Sequence, residues 1–370
     1  MQFPNVDPIP IPAPVWLMKA LGLLTLALHF FAVQILIGSL LAVCYLSLRG
    51  RSQKSQVVLS AASVVAKRLP VVMTYVINLG VPPLLFAQVL YGRALYTSSV
   101  LIAVFWISVI LLLMGCYWLL YRIADRASRG EPVIWHGLGA LLLAASVGQI
   151  YSINMTLMLK PEVWQGMYAN TASGLQAPPH DPTMMPRWLF VMTGGLIVGG
   201  LWMAIHANLK AVEAPVANLL KKFGSALTLV GVVIQLGVGM MVHSTQPENV
   251  QQGLGTPFYQ ASAGLWGLGL VLVLALAAIQ FRAAAKPVIA WSAATAAFLS
   301  IAGAVLYRDG IRDITLMAKG FDVWKRTENS NWGVIGLFLI LFVAGLGAVA
   351  WLLLVMKQAK AMPEEVQTNP

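Results

Sequence analysis

The sequence predicts an all-α polytopic transmembrane helix bundle, a single integral membrane domain over 1–370 with about nine spans. Three observations carry that expectation. Of 370 residues, 59% are hydrophobic and only 10% charged, whereas a soluble domain carries about 25% charged residues. The apolar residues gather in runs that match a span of roughly 20 residues. Lys and Arg fall between those runs and concentrate in alternate connections.

Taken in chain order, the spans are expected at about 15–48, 70–95, 98–121, 133–158, 188–208, 218–243, 261–281, 287–307 and 333–356. The first has no basic segment before it and no small-residue cleavage site after it, so it reads as an uncleaved span. The second holds Gly80, Pro82 and Pro83 near its middle, which predicts a kink or a local opening. The fourth carries amides at Gln149 and Asn154 and the sixth one at Gln235, of the kind that hydrogen-bond helices together.

Orientation follows from the connections. Segments 49–68, 122–132, 209–222, 282–286 and the tail after 356 hold most of the 24 Lys and Arg residues. By the positive-inside rule this puts the N-terminus outside and the C-terminus inside. Two outside segments are more than turns. Residues 159–187 are rich in proline, and 308–332 mix both charge signs with aromatics. The second segment is open to three readings: a solvated loop, a docking surface, or a source of Arg partners for cofactor propionates.

The net charge of +11 is the sum of these topology signals, and it does not indicate nucleic-acid binding. Cys44 and Cys116 stand alone in apolar runs. They form no CxxC or CxxCH, which excludes covalent c-type haem and gives no zinc-ligand spacing.

The chemistry-bearing residues are the five histidines, because polar groups inside a membrane are costly. His29 sits in LTLALHFFAVQILIG with apolar residues on every side. It calls for either a b-type haem iron or a helix–helix hydrogen bond. His136 and His206 both fall near the inner face and form an alternative haem pair. His243 ends the sixth span beside the loop STQPENVQQGLGTPFYQ, where it reads as a haem or quinone residue, with Gln246, Pro247 and Glu248 as further quinone contacts. His180 lies in an outside loop. Met192 and Met240 are the available thioether ligands. No Asp or Glu falls inside the expected spans, which disfavours a proton-coupled transporter and a complete oxygen-reducing site.

The order of these features resembles subunit I of the cytochrome bd-type quinol oxidase superfamily. The likeness runs over about 15–270 and is carried by LALHFFAVQILIG in the first span and GQIYSINMTLMLKPEVWQGMY after the fourth. VMTGGLIVGGLWM in the fifth and HSTQPENV after the sixth complete it. The resemblance implies haem b at His29 and quinol contact at Gln246, Pro247 and Glu248. It also implies a respiratory subunit in the bacterial inner membrane that works with other membrane subunits. A periplasmic cytochrome or iron–sulfur protein would accept the electrons. The sequence departs from that pattern in three places. Phe190 stands where the low-spin haem histidine would fall, SSVLIAVFWISVILLLMGCYW has no acid, and the quinol loop is short.

The functional expectation is a quinol-oxidising electron-transfer subunit. Its alternatives are a cofactor-free scaffold subunit and, on the strength of the proline-interrupted second span, a transporter.

Overall fold

The computed structural model describes residues 9–282 and 286–358. Twelve α-helices account for nearly all of them: α1 (Val15–Ser52), α2 (Gln56–Ala66), α3 (Leu69–Leu101), α4 (Ala103–Ser128), α5 (Ile134–Leu157), α6 (Pro161–Asn170), α7 (Met184–His206), α8 (Ala214–Ser244), α9 (Glu248–Gly253), α10 (Pro257–Arg282), α11 (Pro287–Met317) and α12 (Trp332–Gln358). The only β pairing among the described residues is an isolated bridge between Ile11 and Glu328.

Among the described residues, eight helical stretches are long and apolar enough to cross a membrane, and the apolar part of α12 adds a shorter one at Trp332–Gly345. Large apolar side chains face outward on α4 (Ile110, Leu111, Met114), α8 (Val233), α10 (Val271) and α12 (Ile340). That exposure suits a chain solvated by lipid, where an outward Leu or Ile costs nothing.

The interior is organised around α1, which packs on α3, α7, α2, α5 and α11. Its approach to α7 is set by small residues. A Cβ on Gly38 would fall 1.8 Å from the Gly195 carbonyl oxygen, and one on Gly199 would fall 2.6 Å from the Gly38 Cα. In lipid, such close backbone packing supplies the dispersion energy that apolar burial supplies in water. The main apolar cluster runs from Leu36, Leu40 and Leu46 of α1 through Ile197 and Leu201 of α7 to Ala293 and Ala297 of α11.

Three features differ from the sequence expectation. The connection 49–68 is not a plain loop: α2 folds back inside it and buries Val58, Ala61, Ala62, Val65 and Ala66. Second, α3 stays helical through Pro82 and Pro83, and its kink falls later, at Tyr91 (φ −124°, ψ 23°), its one non-helical residue. The prolines remove donors from the hydrogen-bond ladder, and the helix bends eight residues beyond Pro83. Third, α11 runs ten residues past the expected end of its span, so Arg308–Met317 are helical and not part of a loop.

That extension brings acids into the bundle, which corrects the reading that none is buried there. Asp309 and Asp313 are 7% and 4% exposed, and Lys19 of α1, at 4%, lies between them. Lys19 Nζ is 2.7 Å from Asp309 and also bonds Asp313, while Arg312 closes on Asp309. Tyr91 donates to Asp313 at 2.9 Å, and Trp324 Nε1 donates to the same carboxylate at 3.3 Å. The Arg312 guanidinium lies over the Tyr91 ring at 4.1 Å. The sequence hid this cluster because its charges come from segments far apart in the chain.

The same end of the bundle carries the long connections 159–183, 245–256 and 318–331, and is called here the long-loop end. Its chain crossings are tied together. Ile11 N–H donates to the Thr327 carbonyl at 2.8 Å, and Asn329 N–H donates to the Ile11 carbonyl at 2.9 Å. Lys160 pairs with Asp181, and Lys319 with Glu162 at 2.7 Å. Residues 308–316, with Phe321, Val323 and Arg326, are therefore built into the fold, while Met317, Trp324, Lys325 and most of 327–332 stay exposed.

Candidate functional site

Two places hold the candidate residues, on different sides of α1.

The first is His29. Its side chain points at α3, where Nδ1 lies 3.0 Å from the Val76 carbonyl oxygen. An oxygen acceptor there assigns the proton to Nδ1 and leaves Nε2 with a free lone pair. This is the tautomer that metal-binding histidines use, with the far ring nitrogen anchored on a carbonyl. The ring rests on Gly80, where a Cβ would come within 2.8 Å of the His29 Cε1. The glycine that suggested a helix break instead makes room for an imidazole. His29 is half-buried. The residues thus fit a haem iron at Nε2, and the hydrogen bond to Val76 also satisfies the alternative reading of a helix–helix contact.

The second is a cavity of about 540 Å³ between α1, α7, α8, α10 and α11. Phe30 and Gln34 of α1 enter its wall, and the Phe30 ring lies 6.0 Å from the His29 imidazole, so the two places are neighbours across α1. Most of the lining is apolar: Phe190, Val191, Ile197, Trp266, Leu270 and Ile301 among others. Polar groups gather where α7, α8 and α11 reach the long-loop end. There Arg187, His243, Ser244, Tyr307 and Arg308 line it. A large apolar chamber with a few convergent polar groups is the usual form of a small-molecule site.

Local sequence explains each position. Arg187 stands in the first turn of α7, and its Nη2 donates to Gln246 Oε1 at 3.0 Å. Gln246 is itself fixed by its Nε2, which donates to the Val242 carbonyl at 2.7 Å. His243 ends α8 and shares a hydrogen bond of 2.6 Å with the Tyr307 hydroxyl. Arg308 follows Tyr307 on α11, and among the described residues no carboxylate lies within ion-pair distance of it. The nearest in sequence, Asp309, is engaged by Lys19 and Arg312. Deeper in, Gln235 accepts from Thr193 at 2.7 Å and donates to the Phe190 carbonyl at 3.1 Å.

Among the predicted residues, His243 and Gln246 come together around Arg187 and Tyr307, and Gln246 is buried at 4% exposure. Pro247 and Glu248 are exposed at the start of α9. Glu248 accepts from Gln252 at 3.2 Å and is turned away from the chamber wall. His206 is buried, with Nδ1 2.8 Å from the Trp202 carbonyl of its own helix and its ring edge-on to Trp202 at 4.5 Å. His136 is half-buried near the start of α5. Met240 borders the cavity, whereas Met192 packs on Gly148 of α5. Phe190, at the position of the missing histidine, presents a hydrocarbon ring to the chamber and lies 6.1 Å from Trp266.

His180 lies by a smaller cavity of about 300 Å³ with Lys160 and Asp181. Burial alone would raise the Asp181 carboxyl, but Lys160 and two hydrogen bonds from Thr183 hold it below the usual carboxylate range. Cys44 and Cys116 are free and buried, and no cluster of three or more His, Cys, Asp or Glu gathers for a metal ion among the described residues.

Sequence reading missed Arg187, Tyr307, Arg308 and Gln34 as site residues. Tyr307 falls at the last residue of the expected eighth span, and Arg187 and Arg308 in expected outside loops. Their signal was present only as charge placed just past a span end on the side the positive-inside rule leaves poor in Lys and Arg.

No protein family description and no curated protein matches the chain in sequence. Among solved structures it is similar to the bd oxidase from Geobacillus thermodenitrificans, with a TM-score of 0.67 over 95% of this chain and 99% of that one. At 12% identity the likeness shows a shared fold: this chain is a multi-pass membrane protein with the helical architecture of a bd oxidase chain.

Proposed function

We propose that the chain is a quinol-oxidising subunit of a respiratory membrane complex, carrying b-type haem at His29 and passing electrons to a partner cytochrome. The observation that supports this most is the state of His29. Its Nδ1 is committed to the Val76 carbonyl, its Nε2 is free, and Gly80 gives the ring its place. A haem bound there would supply one-electron redox chemistry.

The chain's own residues account for the remainder. The apolar chamber excludes water and fits a substituted ring with an isoprenoid tail, and it faces lipid-exposed helices on α8 and α10. The His243–Tyr307 pair receives the hydroxyl protons, and exposed His243 hands them to water at the long-loop end. Charge asymmetry assigns that end to the outside. Oxidation of one quinol to quinone releases two protons there and two electrons, taken one at a time by the partner cytochrome.

Against the transporter reading, α3 stays helical at Pro82 and Pro83 and bends only at Tyr91. The absorption spectrum of the purified chain tests the haem assignment: a Soret band in the wild type, lost in His29→Ala, supports it. A wild type with no Soret band refutes it.

A further inference from the structure

Arg187 and Arg308 both line an apolar chamber inside a membrane bundle. They lie close enough to act on one another electrostatically. A guanidinium in low-dielectric surroundings is costly without an anion beside it. The acids that face this region are few. Asp309 and Asp313 are held by Lys19 and Arg312, and Asp309 reaches Arg308 only as a longer-range charge. Asp181 is paired with Lys160 and reaches Arg187 only as a longer-range charge. Glu248 is exposed and bonded to Gln252. Gln246 gives Arg187 a neutral acceptor, which orients it without cancelling its charge. The chamber therefore carries a positive end that its own residues leave open, joined to a hydrocarbon wall of Phe190, Trp266 and Leu270.

We infer that the chamber binds an amphiphile whose head is an anionic oxygen, held between Arg187 and Arg308, with the apolar body against α7, α8 and α10. Two sources have this chemistry. One is the ring oxygen of a quinol that has lost one proton, and this form of the inference rests on the quinol reading above. Loss of the hydroxyl proton toward His243 leaves the monoanion, and the two guanidiniums favour it as they favour a carboxylate. The other is the phosphate of a membrane lipid. Gln246 is a positioning residue in either case, because it acts through Arg187.

Calorimetric titration of the full-length protein in detergent at neutral pH provides the test. The probes are 2-hydroxy-1,4-naphthoquinone, which is anionic at that pH, and neutral 2-methyl-1,4-naphthoquinone. In parallel, native mass spectrometry after reconstitution with phosphatidylglycerol or phosphatidylcholine reads retained lipid. The wild type should prefer the anionic quinone by about tenfold, the size of one charge-assisted hydrogen bond. Arg308→Gln should lose that preference, and Arg308→Lys, which keeps the charge, should retain most of it. Retained phosphatidylglycerol that is lost in Arg308→Gln, without quinone binding, upholds the anionic site and removes the quinol reading. Equal affinity for both quinones, or none, together with no difference in retained lipid between wild type and Arg308→Gln, overturns the inference.

Discussion

Gln246, in the connection after α8, accepts a hydrogen bond from Arg187 at the start of α7, 3.0 Å away and 59 residues earlier in the chain. This contact joins the loop in which sequence places quinone residues to a cavity that sequence does not reveal. It also sorts the three loop candidates: Gln246 is turned inward, while Pro247 and Glu248 stay at the surface.

Gln246→Leu removes the acceptor and leaves a buried guanidinium nitrogen without a partner. Loss of such a bond costs about 1–3 kcal/mol. The variant should melt at lower temperature than wild type and bind the anionic naphthoquinone less tightly. Glu248→Gln should change neither reading. Equal behaviour of the two variants, by thermal unfolding and calorimetry, contradicts the assignment.

Lys19 neutralises two carboxylates at once, and removing one partner of a buried ion network leaves uncompensated charge. Lys19→Met should destabilise the protein by about 3–5 kcal/mol. The double variant Lys19→Met with Asp313→Asn should recover part of that loss, since Asp309 keeps Arg312. Thermal denaturation in detergent measures both. A single variant as stable as wild type would show that the cluster is not a structural tie.

Gly80→Ala places a methyl group 2.8 Å from the His29 Cε1. The ring must move or α3 must shift, and such overpacking costs about 1–3 kcal/mol. Because the imidazole anchor on Val76 is disturbed at the same time, bound haem should show a displaced Soret maximum or reduced occupancy. An unchanged spectrum together with unchanged stability would refute the role given to the glycine.

Acid should loosen the 159–187 segment. Burial would raise Glu162 and Asp181, but Lys319 lowers the first and Lys160 with Thr183 lowers the second, so both carboxyls lie below their ordinary values of 4.5 and 3.8. A carboxyl depressed in the folded state stabilises that state above its unfolded value, and the gain is lost as pH falls through the folded value. Hydrogen exchange in the α6 region should therefore rise below about pH 4, with little change between pH 5 and 8. A rise centred near neutral pH would point to a different group.

The architecture was legible because lipid imposes a simple rule: every span must be a long apolar helix with its backbone bonds satisfied internally. Hydropathy alone locates the core of each span. It cannot show that α11 continues past residue 307, because Arg308, Asp309, Arg312 and Asp313 look like loop charges until Lys19 is seen between the two acids. His29 stood out because nothing near it in sequence could satisfy an imidazole. The Gly80 it rests on is 51 residues away and was read as a break. Arg187 and Arg308 escaped notice for the same reason as the acid cluster: their common chamber is assembled from five helices, and no local pattern records it.

The account depends most on His29. The most direct measurement is the reduced-minus-oxidised absorption spectrum of the purified wild-type chain beside that of His29→Ala. The account predicts a b-type Soret difference band in the wild type that is absent or strongly reduced in a stably folded His29→Ala protein. A wild type without the band, or a band identical in both, would contradict it.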